Sequence, residues 1–292
     1  MSQVKNILIT GANGQVGMEF RKLAEKFPKY NFIFTTRNEL QIGDEEAVNS
    51  FFKSTNISLC INCAAYTAVD LSELEREESM LINSEAVGYL AKASRDSNAI
   101  FIHLSTDYVF DGQSSSPYRT SDITSPVNFY GQTKLHGEEI ALINNPDCLI
   151  IRTSWVYSEY GKNFVKTMLK LMSEKDSIKV VDDQFGSPTN ASDLVNAIME
   201  IISSDKIISG IYHYSNSGII SWFDFALEIK KLIGSSCIVN PIKTVEYPTP
   251  AKRPKWSALD TSKISETYGI KIADWKESLS RCELFAKSKA SN

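Results

Sequence analysis

Residues 7–17 read ILITGANGQVG, and this stretch decides the fold. An apolar strand pattern leads directly into Gly11, Gly14 and Gly17, and a helical repeat of apolar side chains begins at Val16. In a strand–turn–helix unit, the N-terminus of the helix offers free N–H groups and positive potential beside the turn. Glycines in the turn let the backbone approach a diphosphate closely. The stretch therefore predicts the dinucleotide-binding unit of an α/β protein.

The rest of the first half repeats this alternation of strands and helices. The predicted strands are residues 6–10, 31–36, 58–62, 99–105 and 148–153, and the predicted helices are residues 16–27, 44–54, 73–97 and 128–140. Buried strands that are separated by helical patterns are typical of a parallel sheet with right-handed crossovers. We therefore predict an α/β fold with a Rossmann-like, doubly wound parallel sheet.

Beyond about residue 155 the predicted elements become shorter and the loops longer. Strand patterns cover residues 178–181 and 210–215, and helical patterns cover residues 163–172, 192–202 and 221–233. Residues 248–260, PTPAKRPKWSALD, are predicted to be irregular because proline removes a donor and fixes φ. We expect residues 1–155, with segments returning from the second half, to form an NAD(P)-binding domain. Residues 156–292 would form mainly a smaller C-terminal substrate-binding lobe.

Composition narrows the functional classes. The 292 residues are 42% hydrophobic and 23% charged, with a net charge of −4, which is ordinary for a globular protein. The chain lacks the basic runs of nucleic-acid-binding proteins, and its apolar runs are too short for a membrane span. The N-terminus has no signal-peptide pattern. These features predict a cytoplasmic protein that binds neither nucleic acid nor membrane.

Cysteine and histidine usage argues against redox and metal chemistry. Five cysteines are a sparse, odd set, which favours a reducing compartment. Cys60 and Cys63 match the redox spacing, but they fall in a predicted strand, where residues three apart point to opposite faces. The three histidines lack the spacing of metal ligands. We therefore predict no metal site and small, buried cysteines.

The end of the second predicted strand bears on cofactor choice. NAD-selective sites usually carry an acid here, which binds the ribose 2′-hydroxyl. This chain has Arg37, whose guanidinium matches the 2′-phosphate of NADPH. Glu39 stands close by and keeps NADH as an alternative cofactor. The competing interpretation of Arg37 is a solvated surface side chain.

The fourth predicted strand ends in HLSTDYVFDG, which places Ser105, Thr106 and Asp107 where parallel α/β sheets bind ligands. Further along, Tyr130 precedes Lys134 by four residues, so both lie on one helix face. A hydroxyl, a phenol and an amine suit hydride transfer to a ketone. Tyr130 would donate the proton, Thr106 would hydrogen-bond the carbonyl oxygen, and Lys134 would bind the nicotinamide ribose and stabilise phenolate. The alternative is an ordinary helix surface with a half-buried Tyr130 and a solvated Lys134.

Seven segments, in order from about residue 4 to about residue 285, resemble the extended short-chain dehydrogenases/reductases and, within them, the dTDP-4-dehydrorhamnose reductase family. They are GANGQVG, NCAAYTAVD, STDYVFDG, YGQTKLHGE, IRTSWVY, DDQFGSPT and RPKWSALD. The resemblance implies NAD(P)H-dependent reduction of the 4-keto group of a nucleotide-linked 6-deoxy sugar. The implied substrate is dTDP-4-dehydro-β-L-rhamnose, and the implied product is dTDP-L-rhamnose.

The resemblance also implies roles for individual residues. The catalytic residues would be Thr106, Tyr130 and Lys134. The cofactor-binding residues would be Gly11, Asn13, Gly14, Gln15, Val16, Ala64, Ala65, Tyr66, Tyr130 and Lys134, together with Arg37. The substrate-binding residues would be Thr67, Asp70, Ser105, Asp107, Trp155, Asn163, Gln184, Pro188 and Arg253. Core packing is the alternative role for Trp155, and a surface ion pair is the alternative for Arg253.

The chain departs from the family pattern at two positions. Gln41 and Leu71 replace an aspartate and a lysine, which affects the expected adenine contacts and the identity of the sugar. Glu283 resembles a position at which some relatives dimerise around magnesium, but its partners are not identifiable, so a monomer or a homodimer is expected. The rival functions are a reductase of another dTDP- or UDP-linked 4-ketohexose and a non-catalytic dinucleotide-binding subunit like that of methionine adenosyltransferase.

Overall fold

A parallel sheet of six strands forms the centre of the fold, in a computed structural model that describes residues 5–204 and 206–285. In chain order the strands are β1 (Lys5–Thr10), β2 (Tyr30–Thr35), β3 (Leu59–Asn62), β4 (Ile100–Thr106), β5 (Leu149–Thr153), β6 (Val156–Tyr157), β7 (Ser177–Val181), β8 (Phe185–Gly186), β9 (Thr189–Asn190), β10 (Gly210–Tyr214), β11 (Ile220–Ser221) and β12 (Ile238–Ile242). The central order is β10-β5-β4-β3-β1-β2. The chain therefore reverses its direction of travel across the sheet between β1 and β3, which confirms the predicted doubly wound, Rossmann-like class.

Helices cover both faces of this sheet. They are α1 (Gln15–Leu23), α2 (Glu45–Ser54), α3 (Arg76–Met80), α4 (Ala86–Asp96), α5 (Phe129–Asn144), α6 (Phe164–Glu174), α7 (Ala191–Ser203), α8 (Trp222–Ile233), α9 (Ser262–Tyr268) and α10 (Trp275–Ser280). Along β1, Ile7 and Ile9 pack with Leu194 of α7, whereas Leu8 packs on the other face with Val87 of α4. Alternation of this kind with both faces buried is typical of a parallel sheet.

The predicted helix over residues 73–97 is observed as one continuous helical run over residues 76–96, which contains a π-helical turn that the sequence did not predict. The chain forms a 3-10 turn at Leu71–Glu73, helix α3, a π-helical turn at Leu81–Glu85 and then α4. The π turn contains the buried Asn83, whose amide holds the backbone of Tyr66 on one side and the Thr133 hydroxyl on the other. Hydrophobic periodicity cannot reveal such a turn because the apolar repeat continues through it.

The second half of the chain both returns to the sheet and builds a separate core. Strand β10 joins the edge next to β5, and α7 packs against α1. Helices α6, α8 and α10 enclose another apolar cluster with strands β7 and β12, which pair in parallel. The sequence pattern missed β12 because Pro241 interrupts it, and proline is tolerated in such an edge strand. Residues 248–260 contain no helix or sheet strand, as predicted.

Candidate active site

The glycine turn lies at the carboxyl end of β1, where the chain reverses across the sheet. Gly11 has φ +64°, and a Cβ there would lie 2.6 Å from the backbone nitrogen of Ala64, so no larger residue fits. A cavity of about 560 Å³ extends from the turn to Arg37. Its lining includes the predicted cofactor residues Gly11, Asn13, Gly14, Arg37, Ala64, Ala65 and Tyr66. These residues and the open N-terminus of α1 fit a dinucleotide diphosphate.

Gln15 and Asn163 tie the glycine turn to the second half of the chain. The Gln15 amide donates to the Val156 carbonyl, and its oxygen accepts from Asn163 Nδ2 at 2.8 Å. The Asn163 oxygen caps α6 by accepting from the Lys166 N–H. Asn163 was predicted to bind substrate, but its polar atoms are engaged in these internal contacts. In this structure Asn163 supports the glycine turn, and its contact with substrate stays a prediction.

At the far end of this cavity, Arg37 pairs with Glu78 of α3. Glu39, the acid expected near the cofactor, instead accepts hydrogen bonds from the backbone N–H and the hydroxyl of Thr36. The Arg37 side chain is 72% exposed, as the surface interpretation requires, and it also lines the cavity. Glu78 was missed in the sequence because it is distant from Arg37 along the chain.

The N-terminus of α5 brings Tyr130 to the end of β4. Asn128 caps the helix by accepting from the Gly131 N–H at 2.8 Å. A side chain on Gly131 would overlap the carbonyl oxygen of Tyr108, so the glycine allows close packing there. The Tyr108 and Tyr130 rings meet edge to face, with centroids 5.8 Å apart. This packing fixes the direction of the Tyr130 side chain.

Thr106, Asp107 and Tyr130 form a connected polar group. Burial raises the pKa of the Tyr130 phenol above its usual value, while a hydrogen bond with Thr106 opposes that rise. The Thr106 hydroxyl donates to Asp107 Oδ1 at 2.9 Å. Burial also raises the pKa of Asp107 to about 7. At neutral pH the phenol is therefore protonated and can serve as a proton donor.

Lys134 is buried, with 1% of its surface exposed, so the alternative of a solvated lysine is wrong. Its Nζ donates to the Leu104 carbonyl at 2.7 Å and lies 3.3 Å from His103 Nε2. Burial lowers the pKa of the amine to about 8, against the opposing effects of Glu138 and Cys63. The amine thus titrates close to neutral pH.

The Ser105 hydroxyl contacts a buried ion pair between α5 and β5. Its hydroxyl donates to Glu138 of α5, which is paired with Arg152 of β5 at 2.7 Å. Both charged side chains are nearly fully buried. In this structure Ser105 supports the ion pair, and its contact with substrate stays a prediction.

A second cavity, of about 720 Å³, opens between the sheet domain and the cluster around α6 and α8. The predicted substrate residues in its lining are Asp70, Gln184 and Arg253, and the lining also includes Tyr108, Phe164, Trp222 and Tyr247. Arg253 Nη2 donates to Asp70 Oδ2 at 2.8 Å, so these two predicted substrate residues bind each other. The ion pair that was the alternative interpretation of Arg253 is therefore present in this structure.

Trp155 has φ +46°, an unusual backbone conformation for a residue with a side chain. Its ring stacks on Trp222 with centroids 3.5 Å apart and covers Gly186. The packing alternative for Trp155 is thus observed. Such strained backbone is often found at functional sites. Thr67 lies exposed on the loop after β3, and Pro188 lies between β8 and β9.

Several side chains at the site were missed in the sequence. They are Asn62, Glu78, Asn83, His103 and Trp222. Of these, His103 gave the clearest signal, because it stands two residues before Ser105 on the same strand, so its side chain points to the face opposite to that of Leu104. Among the described residues, no cluster of histidine, cysteine, aspartate or glutamate is suited to a metal. Within the same ranges, no helix is long and apolar enough to cross a membrane.

A glycine turn at the reversal point of a parallel sheet, next to a hydroxyl, a phenol and a buried amine, defines a dinucleotide-dependent oxidoreductase of the short-chain dehydrogenase/reductase type. The chain belongs to the family described as RmlD substrate binding domain, whose family model matches residues 5–285. The match covers nearly all of the described chain. It confirms the family resemblance seen in the seven sequence segments.

Individual relatives agree over the full length. The dTDP-4-dehydrorhamnose reductase of Aggregatibacter actinomycetemcomitans is 40% identical over 291 residues, covering 96% of this chain and 99% of that protein. A dTDP-4-dehydrorhamnose reductase crystal structure from Clostridium acetobutylicum is 41% identical, with a TM-score of 0.92 over 97% of this chain and 99% of that one. The structure from Bacillus anthracis, solved in complex with NADP, is 35% identical, with a TM-score of 0.92 and the same coverage of both chains.

Proposed function

We propose that this chain uses NADPH to reduce the 4-keto group of dTDP-4-dehydro-β-L-rhamnose, which gives dTDP-L-rhamnose. The observation that carries the proposal is the packing of Tyr130, at the start of α5, against Tyr108, which follows Thr106 at the end of β4, with the buried Lys134 one helical turn further along α5. The relatives that bear the corresponding name match 96–97% of this chain. We further propose that it acts in the cytoplasm as a monomer or a homodimer.

The cofactor would bind in the cavity that begins at the glycine turn. Gly11, Asn13 and Gly14 would hold its diphosphate, and Ala64, Ala65 and Tyr66 would border it on the β3 side. Gln15 and Val16 begin α1 beside the turn. When bound, NADPH supplies a hydride to the carbonyl carbon of the substrate. The relative solved with NADP supports this choice of cofactor.

Side chains of the protein supply the proton that the carbonyl oxygen of the substrate takes up. Tyr130 donates its phenolic proton to the carbonyl oxygen as negative charge grows there, and Thr106 hydrogen-bonds that oxygen. The Lys134 ammonium stabilises the phenolate that forms and binds the nicotinamide ribose. Because the pKa of the Tyr130 phenol is raised, the phenol stays protonated until the substrate oxygen becomes basic enough to accept the proton.

The substrate would occupy the larger cavity, with residues 156–292 as the main substrate-binding lobe. Its apolar wall includes Phe164 and Trp222, which suits a nucleotide base, and Gln184 offers an amide. Thr67, Asp107, Trp155 and Pro188 would face the sugar. Arg253 is paired with Asp70, so it would bind the diphosphate by exchanging one anionic partner for another.

The proposal is tested by incubating the purified chain with NADPH and either dTDP- or UDP-linked 4-keto-6-deoxy sugars. Proton NMR of the product gives the configuration at carbon 4. We expect the dTDP-linked substrate to yield dTDP-L-rhamnose. Oxidation of NADPH with the UDP-linked sugar alone, or the opposite configuration, would favour the rival reductase activities.

Arg37→Ala is expected to weaken NADPH binding by about tenfold or more, because charge-assisted hydrogen bonds to a phosphate contribute roughly 1.5–3 kcal/mol. NADH lacks this phosphate, so its dissociation constant should change little. Glu78→Gln should tighten NADPH binding, since it removes the carboxylate that competes for Arg37. Dissociation constants from fluorescence titration with both cofactors provide the measurement.

The matched control for this prediction is Arg95→Ala. Arg95 is also an exposed arginine in an ion pair, but its partner is Asp96, and neither residue lines the cofactor cavity. The control should leave both dissociation constants unchanged. Equal weakening of NADH and NADPH by Arg37→Ala would rule out the contact with the 2′-phosphate.

A further inference from the structure

A buried row of polar side chains crosses the sheet and ends at the Lys134 amine. Thr10, Asn62 and His103 stand side by side on β1, β3 and β4 and are at most 1% exposed. The Thr10 hydroxyl donates to Asn62 Oδ1 at 2.6 Å, and Asn62 Nδ2 lies 3.1 Å from His103 Nδ1. On the other side of the ring, His103 Nε2 lies 3.3 Å from Lys134 Nζ. The row therefore connects the glycine-turn strand to the catalytic helix.

The orientation of the Asn62 amide is fixed by its neighbours. Its Oδ1 accepts from the backbone N–H of Ala64 at 3.2 Å as well as from the Thr10 hydroxyl. A backbone N–H can only donate, so the amide oxygen must face it. Asn62 Nδ2 is consequently the atom that faces the imidazole, and it donates to His103 Nδ1.

This contact also determines the tautomer of His103. Burial, and then the charge of Lys134, hold the pKa of the imidazole well below its usual value, so the ring is neutral and carries one proton. Since Nδ1 accepts from Asn62, the proton is on Nε2. The ring thus presents an N–H donor to the nitrogen of Lys134.

An ammonium group has only donors, whereas a free amine also has a lone pair. The free amine of Lys134 can accept from His103 Nε2–H and still donate to the Leu104 carbonyl at 2.7 Å. The ammonium would instead face another donor. The arrangement therefore favours the neutral form of Lys134.

We propose that Asn62 and His103 are positioning residues for the reductase reaction, because together they present a ring N–H to the Lys134 nitrogen and favour the amine over the ammonium. The inference rests on the proposed function, in which the Lys134 cation stabilises the phenolate. A group that favours the amine removes this cation at a lower pH. Asn62 and His103 thereby set the alkaline limit of activity.

The other titratable groups around the amine lie outside the row and are not substituted in the test. They are Cys63 after β3, Tyr130 and Glu138 on α5, and Arg152 on β5. Glu138 and Cys63 oppose the lowered pKa of Lys134, and Arg152 is paired with Glu138. A shift produced by a substitution at Asn62 can therefore be assigned to the row.

The test is a lysine titration in the cofactor-free, full-length chain labelled with ¹³C at lysine Cε, with the Lys134 signal identified by its loss in Lys134→Arg. Asn62→Leu removes the donor, frees the tautomer and should raise the Lys134 pKa by about 1–2. The alkaline limb of kcat/KM should move by the same amount. Thr10→Val is the matched control, since the Ala64 N–H still orients the amide and the pKa should not change.

An unchanged Lys134 pKa in folded Asn62→Leu would overturn the inference. Asn62→Asp is the second variant, and it should also raise the Lys134 pKa. If Asn62→Asp raised this pKa and Asn62→Leu did not, the rise would come from the new carboxylate charge, and the inference would be wrong. Long-range ¹⁵N–¹H spectra of the unsubstituted chain read the His103 tautomer directly, and a proton on Nδ1 would also refute the inference. These titrations need no substrate, so a chain inactive toward dTDP sugars would contradict the proposed function without touching the tautomer result.

Discussion

Tyr130→Phe is expected to lower turnover by about 10²-fold or more, while the dissociation constant of NADPH stays unchanged. The substitution removes a single hydroxyl, which is the proton donor in the proposed reaction. It leaves the ring to pack edge to face with Tyr108, so the N-terminus of α5 keeps its position. Steady-state kinetics with the dTDP-linked keto sugar give kcat, and fluorescence titration gives NADPH affinity.

Tyr118→Phe is the matched control for this prediction. Tyr118 is a buried tyrosine whose hydroxyl donates to Asp111 at 2.6 Å, and it lines neither cavity. Turnover should be close to that of the unsubstituted chain. Full activity of Tyr130→Phe would exclude the phenol as proton donor. Loss of NADPH binding in the same variant would instead indicate a structural role.

The kinetic experiment also separates an enzyme from the non-catalytic alternative. A chain that binds NADPH through its glycine turn but never oxidises it in the presence of keto sugars would act as a dinucleotide-binding subunit. The packing of Tyr130 against the end of β4 favours catalysis, since binding alone does not require a protonated phenol there. Lys134 supports the same conclusion, because burying an amine is costly without a functional gain.

The parts of the site that the sequence predicted are those encoded by short spacings. Gly11 and the glycines after it are recognisable because they lie between a strand pattern and a helix pattern. Tyr130 and Lys134 are four residues apart, and this spacing alone places them on one helix face. The alternation of strand and helix patterns along the chain also predicted the parallel sheet. In each case the information lies within one or two adjacent elements, where backbone geometry dictates what comes together.

The parts that were missed depend on pairing between distant segments. Arg37 meets Glu78, and Asp70 meets Arg253, across separations that no periodicity records. The spacing of the histidines argues against His103 as a metal ligand but does not indicate its partner, Asn62, which lies on the neighbouring strand. Once the strand order is known, the pair of Asn62 and His103 follows from register, because residues opposite each other in a sheet have nearby side chains. The other two pairs lie outside the sheet and depend on how helix α3 and the loops pack.

Glu138→Ala is expected to lower the free energy of unfolding by about 3–5 kcal/mol, because it leaves a buried charge without its partner. Glu138 accepts from Arg152 Nε at 2.9 Å and from Nη2 at 2.7 Å, and both side chains are at most 3% exposed. Arginine does not escape the cost by losing its proton. Within the described residues, Arg152 Nη1 already lacks a hydrogen-bond partner, so no contact at that nitrogen compensates for the loss of Glu138. Urea denaturation followed by intrinsic fluorescence gives the measurement.

Two further variants show whether the loss comes from the unpaired charge. Glu45→Ala breaks an exposed pair with Lys92, whose side chains are 45% and 42% exposed, and should cost no more than about 1 kcal/mol. Replacing both Glu138 and Arg152 with methionine removes the charge as well as its partner, so this chain should be more stable than Glu138→Ala. A single variant as stable as the unsubstituted chain would mean that water reaches Arg152. Because Glu138 lies one helical turn beyond Lys134, that result would also place the amine in a wetter site than its burial indicates.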